Sequence, residues 1–378
     1  MARLHVILDA RALRPHLDGI GRFSLNLMAA LADRPELKLT ALIPSGLPPQ
    51  IRARLPQNLG LITLPGSHLS VRALHKLPRL IDEIKADLFH SLHALLPPRL
   101  DRPAILTLHD TMWLTKPWLQ ESPASWRYWA GALHARLFIG RGLERARLVL
   151  TVSQASAKDI AGFRPSLSPK LRVISEAPDP VFLKPPESGR VAEALARFGL
   201  APEGYLLYAG NTKPYKNLPN LLQALALTRS QPPMRLIMAG RPDRFYRRLL
   251  SLIKGLGLQD RVSHLGSRLD EELVCLMAGA RGLVFPSLWE GFGLPVLEAM
   301  ALGRPVLTSH RGGLVESAGQ AALIVDPEDV EGMALSLDRL WTEEDLRAEL
   351  TARGREWVKN FSWTKTAEEV ARIYEEVS

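Results

Sequence analysis

A single cysteine, Cys275, stands in 378 residues, so no internal disulfide can form. It lies in the helical pattern DEELVCLMAGA and reads as a buried, inert thiol, which suits a reducing cytoplasm. Apolar residues nowhere run on for the length a bilayer crossing needs. The opening MARLHVILDARALRP also sets Arg11 close behind a short apolar run, so neither a membrane span nor a secretory leader is expected. Zinc-ligand spacing, a helix-turn-helix and an RRM-type aromatic signature are all missing, which removes the usual nucleic-acid modules. No Asp-x-Asp follows a strand pattern, and His90 and His93 in HSLH read as sheet-end packing rather than half a metal site. No essential metal or other cofactor is therefore expected. Acidic residues are in deficit: 39 Asp and Glu against 48 Lys and Arg leave a formal charge of +9. That excess suits an anionic partner, whether nucleic acid, a membrane surface or a phosphorylated small molecule.

What is present is an ordinary globular composition, 46% hydrophobic and 23% charged, on a chain too long for one core. LHVILDA, LTALIP, DLFHSL, AILTLHD and LVLTVS are short apolar runs, separated by helical patterns such as GRFSLNLMAALADR and RALHKLPRLIDEIKA. After the Pro-rich RVISEAPDPVFLKPPESG the alternation begins again with YLLYAG, RLIMAG, VSHLG, GLVFPS and PVLTS. No sequence repeat relates the halves. The expected fold is α/β: two Rossmann-like doubly wound domains, 1–180 and 181–361, facing each other across a cleft, with an amphipathic helix over 362–378 that begins at a Ser cap.

The chemistry concentrates in FPSLWEGFGLPVLEAMALGRPV, where two glutamates, Glu290 and Glu298, bracket a strand-to-helix turn in an apolar segment. Backbone N–H groups at Gly291, Phe292, Gly293 and Leu294 would face a ligand there, and glycines let it come close, which favours a diphosphate. Glu298, about one turn into the helix, would accept hydrogen bonds from a ribose or sugar diol. A nucleotide sugar meets both demands. The plainer reading of a helix-start glutamate is that it complements the helix dipole. Glu290 precedes the helix and does not fit that reading. Lys213 and Lys216 in YAGNTKPYKNL lie in another strand-to-helix loop, where they could neutralise a departing diphosphate without a metal; a solvated loop is the alternative.

In the first half, Gly19 and Gly21 approach the dinucleotide fingerprint, but Ser24 occupies the third glycine position and the preceding loop is long. A glycine loop lining a sugar site fits better than a dehydrogenase. His109 ends an apolar strand at the ligand edge of the sheet, a place where a histidine is as readily structural. Trp113, Trp118, Trp126 and Trp129, followed by Arg136, Arg141, Arg145 and Arg147, suit either an anionic membrane surface or core tryptophans beneath a solvated basic face.

FPSLWEGFGLPVLEAMALGRPVLTS resembles the E-x7-E signature of the retaining glycosyltransferases of family GT4, which have the GT-B fold. YAGNTKPYKNL, VSHLGSRLDEELVCLMAGA and AALIVDPEDVEGMA resemble the C-terminal domain of that family, while DGIGRF, LTLHD and TVSQASAKDI resemble its N-terminal domain. The resemblance implies Glu298 as ribose ligand, Glu290 beside the transferred sugar, and Phe292 to Leu294 as backbone donors. It gives Lys213 and Lys216 the diphosphate, His109 the donor sugar, and Gly19 and Gly21 the cleft lining; Asn211 joins the donor-binding set. Asn211 stands where many relatives have Arg, and SEAPDPVF replaces the usual Asn-Gly-Val-Asp, which unsettles the hinge and base pocket. The last helix is implied to cross back to the N-terminal domain. The implied partners are a nucleotide diphosphate sugar, with GDP-mannose preferred, and a glycan or lipid-linked acceptor met at the inner face of the membrane. No nucleic acid is implied. The alternatives are a sugar-nucleotide epimerase, a phosphorylase, for which no pyridoxal phosphate lysine stands out, and a non-catalytic binding protein.

Overall fold

Described here is a computed structural model covering residues 3–65 and 71–378. Its strands form two parallel sheets. The first contains β1 (Leu4–Asp9), β2 (Leu37–Pro44), β3 (Gly60–Leu64), β4 (Leu88–Ser91), β5 (Ala104–Leu108), β6 (Leu148–Thr151) and β7 (Leu171–Val173), in the order β3-β2-β1-β4-β5-β6-β7. The second contains β8 (Leu206–Ala209), β9 (Leu236–Ala239), β10 (Val262–His264), β11 (Gly282–Phe285), β12 (Val306–Ser309) and β13 (Leu323–Val325), in the order β10-β9-β8-β11-β12-β13. Both sheets are doubly wound, as the alternating pattern predicts. The central strands β4, β5, β6, β8, β9, β11 and β12 are buried along their whole length, which is why they read as continuous apolar runs. β3, β7 and β13, absent from the strands expected above, are short edge strands, half exposed and without such a run.

The chain divides into two compact units, Met1–Glu176 with Ser362–Ser378, and Ala177–Phe361. In the first, the final helix Trp363–Val377 packs on the helix Gly19–Ala32, so the chain end returns to the unit in which it began. Ser362 holds the N-cap position with its carbonyl, which accepts the Thr366 N–H at 3.0 Å, and not with its side chain as expected. Thr366 in turn donates its hydroxyl to the Ser175 carbonyl at 2.8 Å. Fully buried Tyr374 meets His90 Nδ1 at 2.6 Å, and His90 Nε2 lies 2.8 Å from the Thr107 hydroxyl. Burial, with a smaller contribution from His109, pushes His90 down to about pKa 3, so it is a neutral packing group, as its place in HSLH suggests.

In the second unit Cys275 is buried, and burial raises its thiol pKa, which makes it the inert thiol expected.

Candidate functional site

In a doubly wound sheet, ligands bind beyond the carboxyl ends of the strands where the strand order reverses. In the second unit that point lies between β8 and β11. The two loops that leave it are YAGNTKPYKN and the glutamate turn.

After β8 the chain makes a single 3-10 turn, Pro214–Lys216, before the helix Leu218–Leu227. Asn217 joins the two in a left-handed conformation, φ 61°, and donates its amide to the carbonyls of Pro286 at 3.1 Å and Pro327 at 2.6 Å. Leu288 N–H donates to the Tyr215 carbonyl at 2.8 Å, tying the two loops together. Asn211 is engaged in the loop itself: its side-chain oxygen accepts the Lys213 N–H at 3.1 Å and its carbonyl accepts the Tyr208 hydroxyl at 2.5 Å.

Across the switch point Lys216 Nζ donates to Glu290 Oε1 at 2.6 Å, with side chains only 9% and 13% exposed. The ammonium also lies 4.5 Å from the Phe285 ring centroid and 5.0 Å from that of Tyr215. The two lysines differ in their described contacts: Lys216 is paired with Glu290, while the Lys213 ammonium stands 5.9 Å from the Tyr215 ring. The negative charge of Glu290 reaches buried Tyr208, whose pKa is raised first by burial and then by that carboxylate.

The helix after the turn runs Leu294–Ala301, with Pro295 in its first turn and Gly303 at φ 67° just past its end. Gly293, its N-cap, adopts φ 115°, and a Cβ there would lie 2.6 Å from Leu314 Cδ2. Any side chain there would be strained by the backbone and would have to displace Leu314. Gly313, after β12, donates its N–H to the Glu290 carbonyl at 2.9 Å, and a Cβ on it would strike the Gly291 carbonyl. At the helix start Pro295 has no N–H and Val296 donates its N–H to the Gly293 carbonyl at 3.0 Å, which leaves the turn backbone from Gly291 to Leu294 as the leading edge of the helix. Phe292 directs its ring inward, edge-on to Phe361 at 5.8 Å, so only its backbone belongs to the turn's rim. Glu298 lies beyond the first turn and is 3% exposed, too deep for the dipole reading.

In the first unit the sequence-picked residues lie at the carboxyl edge of the sheet, but not as a glycine loop. Gly19 and Gly21 form the first turn of the helix Gly19–Ala32, and the Gly21 N–H is capped by Asp18 at 3.0 Å. The loop reading of these two glycines is corrected: the nine residues after β1 make the loop, and Asp18 starts the helix at Gly19. His109, after β5, presents Nε2 to the Leu92 carbonyl at 3.1 Å and Nδ1 to Glu176 Oε1 at 3.5 Å, with Phe23 edge-on at 4.5 Å. The carbonyl can only accept, so Nε2 carries a proton. Between β1 and β4, the switch point of this sheet, Arg11 donates to both oxygens of Asp9 at 2.8 and 2.7 Å, and His93 Nε2 lies 3.2 Å from the same carboxylate. Burial opposes ionisation of Asp9, but His93 and Arg11 outweigh it and hold its carboxyl well below the usual range.

Two family models cover the chain: Glycosyltransferase Family 4 over residues 17–180 and Glycosyl transferases group 1 over 196–357. The chain is 30% identical over 387 aligned residues to the O-antigen chain mannosyltransferase B of Escherichia coli, covering 98% of this chain and 99% of that one. The chain belongs to the family 4 glycosyltransferases. It is likewise 30% identical to the MMP alpha-(1->4)-mannosyltransferase of Mycolicibacterium hassiacum, over 72% of this chain and 65% of that one. Its fold matches WaaG, a glycosyltransferase involved in lipopolysaccharide biosynthesis, with TM-score 0.77 at 19% identity over 98% of this chain and 99% of that one. Anabaena HepE, solved with UDP and glucose, matches with TM-score 0.73 at 18% identity over 99% and 100% of the two chains.

In this glycosyltransferase several residues at the two switch points escaped the sequence reading. Gly312 and Gly313 carried a signal, a Gly-Gly two residues past the apolar run PVLTS. Gly240, at φ 149° against the Gly210 backbone, and the Asp9–Arg11–His93 cluster act through contacts between strands distant in sequence. Glu176 showed no signal of its own. Among the described residues no three His, Cys, Asp or Glu side chains converge as metal ligands.

Proposed function

We propose that the chain transfers a hexose with retention of anomeric configuration from a nucleotide diphosphate sugar, GDP-mannose by preference, to a glycan or lipid-linked acceptor. The observation that carries this is the convergence at one switch point of a glycine-opened helix start, the Lys216–Glu290 pair and buried Glu298. In this reading the diphosphate lies against the N–H groups of Gly291 to Leu294, Lys213 and Lys216 balance its charge, and Glu298 holds the ribose diol. Glu290 orients Lys216 and faces the sugar. His109, with its ring fixed by Leu92 and Glu176, serves the donor sugar, and Gly19, with open space around its Cα, leaves backbone open to it, whereas the Gly21 N–H is taken by Asp18.

As the bond from the anomeric carbon to the diphosphate oxygen breaks, the acceptor hydroxyl attacks the same face and its proton passes to the departing phosphate oxygen. The lysines and helix-start amides stabilise the charge growing on the leaving group, the task metal ions take elsewhere. The preference for mannose rests on the full-length kinship with an O-antigen mannosyltransferase; HepE, which binds UDP and glucose, marks the alternative donor class. Epimerase and silent-binder readings have no comparable support. The test is thermal stabilisation and sugar release across a panel of nucleotide sugars: GDP-mannose leading supports the reading, and a UDP-sugar leading replaces the donor.

For the acceptor we propose contact with an anionic bilayer. Trp113 packs against the core of the first unit, but Trp118, Trp126 and Trp129 are 54%, 71% and 67% exposed. On the helix Trp126–His134 and the π turn Ala135–Ile139, Trp126, Trp129, Leu133 and Leu137 fall three or four residues apart, one apolar stripe beside exposed Arg127, Arg136 and Arg141. No helix among the described residues is long and apolar enough to cross a membrane. Trp126→Ala with Trp129→Ala should abolish salt-sensitive co-sedimentation with phosphatidylglycerol vesicles; absence of binding by the parent chain points instead to a dissolved acceptor.

A further inference from the structure

A cavity of about 500 Å³ opens on the first unit at the amino ends of its strands, the edge opposite the one that carries Asp9 and His109. Its wall contains Ala104 and Leu148, the first residues of β5 and β6, and Lys170, the residue before β7. A strand of five residues spans roughly 17 Å, so this is a separate place from the carboxyl edge. Five cationic side chains line it, Arg102, Arg145, Arg147, Lys170 and Arg172, against one carboxylate, Glu376.

Such crowding of like charge is costly unless something uses it, and three of the five cations are held in place by the fold. Arg145 donates to the carbonyls of Pro98 at 2.9 Å and Leu96 at 3.3 Å. Lys170 donates to the carbonyls of Glu144 at 2.8 Å and Ala146 at 3.1 Å, and Arg172 to Glu376 at 2.8 Å. Backbone carbonyls fix Arg145 and Lys170 without cancelling their charge, while Arg172 is offset by Glu376. Arg102 and Arg147 have no carboxylate within ion-pair distance among the described residues. Burial and the neighbouring Arg141 push the guanidinium of Arg145 below its ordinary pKa, a local sign of the same positive field.

We infer that this cavity is a second anion site, built for a multiply charged phosphate group of the pyrophosphate or phosphomonoester type. Its fixed cations are spread around an open mouth of a size usual for small-ligand pockets, and guanidinium forks match phosphate oxygens in pairs. The same chemistry is offered by a dissolved polyphosphate and by a lipid headgroup. The site does not depend on the donor reading, because none of its residues belongs to the second unit.

The experiment is calorimetric titration of inorganic pyrophosphate into the full chain carrying Lys213→Ala and Lys216→Ala, so that binding at the other unit does not contribute. Binding should fall roughly tenfold or more on adding Arg102→Glu and Arg147→Glu, and less on adding Arg102→Gln and Arg147→Gln, whose melting curves report that the fold is kept. Glu376→Gln, which removes the one opposing charge and releases the Arg172 fork, should tighten it. Phosphatidylcholine vesicles carrying phosphatidic acid, whose headgroup is a phosphomonoester, are the second arm, in the Trp126→Ala, Trp129→Ala background. Binding there that is lost with Arg102→Glu and Arg147→Glu makes the source a headgroup, and pyrophosphate binding alone makes it a dissolved phosphate. No binding of either probe, pyrophosphate binding indifferent to the arginines, or weaker binding by Glu376→Gln would overturn the site.

Discussion

Replacing Glu290 by Gln should make the enzyme bind a nucleoside diphosphate more tightly while transferring sugar more slowly. The ammonium of Lys216 lies 2.6 Å from Glu290 Oε1, and both side chains are nearly out of solvent. A phosphate charge about 5 Å from that ammonium gains about 3 kcal/mol at an effective dielectric of 20, and the carboxylate some 2 Å further away takes back about 2.4 kcal/mol. In the parent chain the pair therefore contributes little to the ground-state affinity. Removing the carboxylate charge, and halving the gain for screening at a partly open site, leaves about 1.2 kcal/mol, close to a tenfold tighter Kd. Lys216→Met should loosen binding by about the same factor, and the double variant should return near the parent value, since one neutral pair replaces another. Isothermal titration with GDP reads all three. Turnover of Glu290→Gln should fall by about two orders of magnitude if Glu290 stands beside the reacting sugar, as proposed. GDP affinity that stays the same or weakens in Glu290→Gln would refute the placement of the diphosphate beside this pair.

Glu298→Ala should weaken GDP by the loss of up to two hydrogen bonds to a charged group, each worth about 1.5–3 kcal/mol, with Glu298→Gln milder; unchanged titration curves would remove the ribose role. Transfer activity should survive excess EDTA, and activity lost to chelator and restored by magnesium or manganese would contradict a site neutralised by lysines. Gly293→Ala should lower the melting temperature, through about 1–2 kcal/mol for a side chain at φ 115° and a further 1–3 kcal/mol for the clash with Leu314. His90, with its pKa near 3 in the fold and 6.5 when unfolded, takes up a proton only on unfolding in the interval between. Its contribution to stability is therefore complete above pH 6.5 and declines as pH falls, by about 2 kcal/mol at pH 5, and that share of the pH dependence should vanish in His90→Gln melts.

What was legible in the sequence was what local pattern controls. The buried central strands stand out because both their faces are covered, and the helix Leu294–Ala301 is announced by Pro295 and Gly303 at its two ends. Edge strands such as β13, Leu323–Val325, lack that signal because solvent covers part of them. The site shows the same division. Glu290 and Glu298 are conspicuous as carboxylates in an apolar segment, but the pairing of Glu290 with Lys216 spans 74 residues and exists only because β8 and β11 become neighbours. Gly19 and Gly21 were misplaced by one structural step, since Asp18 caps the helix earlier than the glycines suggest. The tryptophans resisted reading because the residue type suits core and interface alike. Packing separates Trp113, held against the core, from exposed Trp126 and Trp129.

The measurement that tests the central claim most directly needs no acceptor. Purified protein is incubated with GDP-mannose, whose sugar is α-linked, and proton NMR follows the anomeric signal of mannose released to water before mutarotation mixes the forms. A retaining transferase whose donor diphosphate lies at the Glu290–Glu298 turn should release α-mannose first, at a rate that falls sharply in Glu298→Ala. β-mannose appearing first, or release that is indifferent to Glu298, would contradict it.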